Sequence, residues 1–123
     1  MRGLRIVVAD DSVLFREGLV RLLEDAGHDV VAAVGDAVLL RSAVAEHEPD
    51  LAVVDVRMPP GGTDDGALAA VELRSAWPGT GMLLLSQHVE LRHCLPLLGR
   101  PGFGYLLKES VLHLDDFDRA LRR

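Results

Sequence analysis

A chain of 123 residues that is 49% hydrophobic and 26% charged is long enough for one domain with a sizeable core, and its composition excludes a disordered or membrane-spanning protein. A formal net charge of −6 argues against direct binding to nucleic acid, whose phosphates call for a basic surface. The single cysteine, Cys94, excludes an internal disulfide and reads as an inert, partly buried thiol, and with no signal peptide or membrane span in view a reducing cytoplasm is expected.

Short apolar runs alternate with amphipathic segments along the chain, the pattern of strands joined by crossover helices over a parallel sheet. The first run, Leu4 to Ala9, is followed by Asp10 and Asp11 and then by a helix, with Ser12 as its cap, Phe15, Leu19, Leu22, Leu23 and Ala26 at helical spacing, and Gly27 as its stop. Val30 to Val34 is the second strand. The second helix is expected after Asp36, with Leu40, Ala43 and Val44 inward, and ends before Pro49. Leu51 to Val54 is the third strand, followed by a loop from Pro60 to Gly66 and a helix carrying Ala67, Ala70, Val71 and Leu73 that ends near Trp77 and Pro78. Gly81 to Leu85 is the fourth strand. The fourth helix is expected to be shortened or kinked at Pro96, and Gly99, Pro101, Gly102 and Gly104 loosen the entry to the fifth strand, Phe103 to Leu107. A short fifth helix carries Leu114, Phe117 and Leu121 on one stripe. The strands are nearly continuous in hydrophobicity, as expected where both faces of a sheet are covered.

In a doubly wound α/β sheet of order 2-1-3-4-5, Asp10 and Asp11 after the first strand and Asp55 after the third meet at the carboxyl edge, next to the point where the strand order reverses. Carboxylates a few ångströms apart repel by about 4 kcal/mol per pair at intermediate dielectric. A hard divalent cation such as Mg²⁺ would offset them, and so would the ammonium of Lys108, which closes the fifth strand at the same edge. Ser86, at the end of the fourth strand, offers a hydroxyl to the same space.

Two acids after strand one, Asp55-Val56-Arg57-Met58-Pro59 after strand three, Ser86 after strand four and Tyr105-Leu106-Leu107-Lys108 on strand five together resemble the receiver domains of bacterial two-component response regulators, a flavodoxin-like fold. The wording around Lys108 is most similar to the subfamily that usually carries a LuxR/NarL-type helix-turn-helix output domain. The resemblance covers essentially the whole chain, so residues 1–123 are expected to form one receiver domain, with any DNA-binding domain outside them. It implies that Asp55 accepts a phosphoryl group from a sensor histidine kinase. It implies Mg²⁺ held by Asp10, Asp11, Asp55 and the Arg57 backbone carbonyl, Lys108 neutralising the phosphoryl oxygens, and Ser86 and Tyr105 acting as the switch pair. It further implies that the surface of the fourth helix, fifth strand and fifth helix changes with phosphorylation and supports a homodimer. Such a domain catalyses only its own phosphoryl transfer and dephosphorylation.

The chain departs from the family pattern at Gln87, where a small residue is usual, and in the long loop with Asp64 and Asp65, which are expected to face solvent. His88 and Arg57 flank the pocket. Each of Asp10, Asp11, Asp55, Ser86 and Lys108 taken singly is an ordinary turn, cap or surface residue; their joint placement at one edge favours the functional reading. A flavodoxin-like cofactor binder is disfavoured because Asp10 and Asp11 would repel its phosphate. An aspartate-nucleophile phosphatase would want an acid where Arg57 stands. The remaining alternative is an atypical receiver that acts as a phosphorylation-independent interaction module.

Overall fold

The structure, a computed structural model, describes residues 3–58, 65–86 and 103–108, without the side chains of residues 103 and 105. Its elements are β1 (Arg5–Ala9), α1 (Val13–Asp25), β2 (Asp29–Val34), α2 (Ala37–His47), β3 (Leu51–Asp55), α3 (Asp65–Ala76), β4 (Gly81–Ser86) and β5 (Phe103–Leu107). The strands are all parallel and lie in the order β2-β1-β3-β4-β5, the doubly wound arrangement expected from the sequence. Each strand agrees with its apolar run to within one residue at either end.

The period of two along the strands divides the core into two layers. Ile6, Val8, Val53, Leu83 and Leu85 pack with Leu19 and Leu23 of α1. Val7, Ala9, Ala52, Val54, Met82 and Leu84 turn the other way, onto Leu40 and Val44 of α2 and Ala67 and Ala70 of α3. β1, β3 and β4 are therefore covered on both faces, whereas β2, at the sheet edge, is only half-buried.

Local chemistry sets the helix ends. The Ser12 hydroxyl accepts from the Phe15 N–H at the start of α1, and a carboxylate oxygen of Asp36 accepts from the Leu39 N–H at the start of α2, each satisfying a donor the helix itself leaves open. α2 stops before Pro49 through Glu48, which takes a left-handed φ of 44°. Gly27, with φ +94°, turns the chain out of α1. Ala26, expected on the inward stripe, is instead the exposed C-cap residue, because the helix closes one residue earlier, at Asp25. The fourth helix with Pro96, the link through Gly99, Pro101 and Gly102, the fifth helix with Leu114, Phe117 and Leu121, and Cys94 lie outside the described residues. No helix among the described residues is long and apolar enough to cross a membrane.

The amino ends of β3 and β4 are tied by Thr80, which is 2% exposed and donates its hydroxyl to the Pro49 carbonyl at 2.7 Å, beside the Gly81 N–H to Asp50 carbonyl bond. Thr80→Val keeps the shape and leaves that carbonyl without its donor. Urea unfolding is expected to show a loss of about 1–2 kcal/mol.

Candidate functional site

The register of the sheet sets Ala9 of β1 against Val54 of β3, so the next residues along each strand, Asp10 and Asp55, stand side by side at the carboxyl edge. Asp10 and Asp55 are 1% and 6% exposed, while Asp11 is exposed. Carboxylate oxygens from Asp10, Asp11 and Asp55 lie within 4.8 Å of one another. The three acids expected to meet do meet, two of them inside the protein and one at its surface.

Lys108 reaches this cluster from the far edge of the sheet. Its Nζ lies 2.7 Å from Asp10 Oδ2 and 3.4 Å from Asp55 Oδ2, and the residue is 8% exposed. The sequence puts the Lys108 ammonium at the edge that carries all three acids, and of the two buried ones it lies nearer Asp10. Asp10 is further engaged through its other oxygen, which accepts from the Ser12 N–H at 2.9 Å, so it also serves as the turn residue its position before a helix suggests. Its Oδ2 has the Lys108 charge nearby and no aligned hydrogen-bond donor among the described residues. An acceptor buried with spare capacity, one exposed carboxylate and a third acid within reach form an all-oxygen donor set that fits a small hard divalent cation such as Mg²⁺.

The same crowding acts on Asp55. Burial and the neighbouring Asp10 charge push its carboxyl up from the ordinary 3.8 to about 7, against the opposing pull of Lys108 and of the Arg57 N–H. That N–H donates to Asp55 Oδ1 at 3.3 Å. Ser86 ends β4, buried at 4% exposure, and pairs in register with Leu107, the residue before Lys108. Ser86 and Lys108 thus belong to the same rim as Asp55. Tyr105 lies in β5 opposite Leu84, but its side chain, together with Gln87, His88 and Asp64, falls outside the described residues.

Three contributors were missed by the sequence reading. The Arg16 guanidinium donates to the Asp10 backbone carbonyl at 2.7 Å, passing over Gly35, where a Cβ would stand 3.0 Å from its Nη1. The Phe15 ring lies under the Lys108 ammonium, 4.6 Å from Nζ to the ring centroid. The third corrects the expected loop from Pro60 to Gly66: α3 already begins at Asp65, a carboxylate suited to a helix amino end, and Gly66 is a buried helical residue. The Gly66 N–H donates to the Val56 carbonyl at 3.0 Å, and a Cβ on Gly66 would stand 1.8 Å from the Asp55 carbonyl oxygen. Only a residue without a side chain lets the helix start this close to the Asp55 peptide.

A family model of the response regulator receiver domain matches residues 6–117. The chain is 40% identical over 108 residues to the probable transcriptional regulatory protein NarL of Mycobacterium tuberculosis and 32% identical over 108 residues to the oxygen regulatory protein NreC of Staphylococcus epidermidis. Each match covers 87% of this chain and 49% of the relative, so the chain spans about half the length of the curated relatives it matches. Among solved structures, the signal receiver domain of NarL from Mycobacterium tuberculosis aligns with a TM-score of 0.80 at 35% identity over the whole of both chains. The isolated receiver domain of RcsB from Salmonella enterica serovar Typhimurium, in the presence of the phosphomimetic BeF3−, aligns with a TM-score of 0.77 over 88% of this chain and 79% of that one. At 19% identity the latter shows the fold alone.

Two outcomes follow from this geometry. Gly66→Ala forces the start of α3 away from Asp55; thermal unfolding is expected to show a loss of about 1–3 kcal/mol, the usual cost of overpacking. The raised Asp55 carboxyl sets a pH dependence. Between pH 3.8 and about 7 the folded state keeps a proton that the unfolded chain has already lost, so stability falls as pH rises through that window and levels off above it. In metal-free buffer, Asp55→Asn is expected to abolish this decline and to be the more stable protein at neutral pH. Denaturant titrations of both proteins across the window check it.

Proposed function

The chain belongs to the response regulator receiver domain family, and we propose that it works as a phosphorylation switch whose acceptor is Asp55. It is a receiver domain of the NarL/NreC type, a signalling module rather than a classical enzyme. The observation that carries the proposal is the cation bridge: one lysine set between two buried acids, with an exposed third acid whose carboxylate lies within 4.8 Å of theirs.

In this reading an ionised oxygen of Asp55 forms a bond to phosphorus as the P–N bond to a histidine of the sensor kinase breaks, its electron pair returning to the imidazole nitrogen. A carboxylate is a weak nucleophile, so the protein's part is alignment and charge neutralisation. Asp10, Asp11, Asp55 and the Arg57 backbone carbonyl would hold Mg²⁺, which when bound supplies positive charge to the transferring oxygens and favours the ionised form of Asp55. Lys108 supplies the second positive charge. The Ser86 hydroxyl donates to a phosphoryl oxygen, and Tyr105 follows it to alter the surface formed by the fourth helix, β5 and the fifth helix, where a second copy could pair. Contact with DNA would come through an output domain elsewhere in a longer protein, as the length of the relatives suggests, and the setting would be cytoplasmic. The Arg16 to Asp10 tether and the Gly66 contact support the same reading, since they hold the acids in place without occupying their free oxygens.

Incubation with Mg²⁺ and acetyl phosphate is expected to add one phosphoryl group to the protein and none to Asp55→Ala, as read by intact mass spectrometry. Chelation of the metal is expected to abolish the adduct. No adduct with acetyl phosphate or with beryllofluoride would support instead an interaction module in which Lys108 permanently neutralises the acids.

A further inference from the structure

The Lys108 side chain must extend from the end of β5 across the end of β4 to reach acids on β3 and β1. A long, flexible lysine has many rotamers and loses rotational entropy when held in one. The carboxylates attract it but do not orient it, because a point charge can approach two acids from several directions. Phe15 supplies the missing constraint. It stands in the first turn of α1, where its N–H is held by the capping hydroxyl of Ser12 at 3.3 Å, and its ring packs into the core layer with Ile6, Leu19 and Leu85. The face of that ring lies 4.6 Å from Nζ. The ammonium is thus enclosed by two carboxylates and an aromatic face whose negative quadrupole attracts it.

We propose that Phe15 is a positioning residue for phosphoryl transfer: its ring fixes the Lys108 ammonium between Asp10 and Asp55. This rests on the phosphorylation reading given above. The effect of Phe15 passes through Lys108, whose ammonium it faces. It also ties the start of α1 to the residue that would sense a phosphoryl group, although the two stand far apart in sequence.

The test uses Phe15→Leu, which keeps an apolar side chain in the core layer and removes the quadrupole, and Phe15→Tyr, which keeps both. With acetyl phosphate and Mg²⁺, the maximal rate of Asp55 phosphorylation is expected to fall about three- to tenfold in Phe15→Leu. The donor concentration for half-maximal rate should hardly change, and Phe15→Tyr should restore the wild-type rate. Independently of any reaction, the Lys108 ε-methylene protons of the wild type are expected to resonate upfield through the ring current and to lose that shift in Phe15→Leu. A wild type without the upfield shift, a Phe15→Leu protein as fast as wild type, or a Phe15→Tyr protein as slow as Phe15→Leu would each overturn the inference while leaving the phosphorylation reading intact. A wild type that takes no phosphoryl group overturns that reading first, and this inference with it.

Discussion

The contact of the Lys108 ammonium with Asp10 and Asp55 is the interaction on which the carboxyl edge of the sheet depends. Two acids almost without access to water could not both ionise beside each other, since water's screening is lost there and little replaces it. One lysine answers for two carboxylates. Burial, with the neighbouring Asp10 charge, still leaves the Asp55 carboxyl raised, and one Asp10 oxygen lacks an aligned donor among the described residues. The three carboxylates so gathered form an oxygen donor set that fits a small hard cation. Stability alone would have been served better by apolar residues.

The rest of the molecule holds that arrangement in place. Parallel pairing of β1 with β3 puts Asp10 next to Asp55, and apolar layers on both faces keep the strands from shifting. The first turn of α1 adds three separate restraints: the Ser12 N–H on Asp10 Oδ1, the Arg16 guanidinium on the Asp10 carbonyl, and the Phe15 ring under Lys108. On the other face, the first turn of α3 rests on the peptide of Asp55. Backbone and side chains thus fix the two buried acids from opposite sides of the sheet, while Asp11 stays at the surface.

The strands, the first three helices and the meeting of Asp10, Asp11 and Asp55 were legible in the sequence because they follow from local periodicity and from topology. Once the runs are read as parallel strands in doubly wound order, every residue after a strand end must lie at one rim. The choice of Asp10 over Asp55 as the nearer partner of Lys108 was not legible, since it turns on a difference between 2.7 and 3.4 Å that no pattern encodes. Phe15 read simply as a residue of the helix stripe, and it is one; its second role depends on a lysine distant in sequence. Gly66 looked like the end of a glycine-containing loop. Its function as the point of closest approach to Asp55 arises only when α3 docks, although a glycine directly before the apolar run of that helix was the one available signal.

The close seating of Gly66 has a mechanical consequence. With no room for a side chain between the helix and the Asp55 main chain, the seat under that aspartate behaves like an anvil: its backbone cannot sink toward α3 unless the helix moves with it.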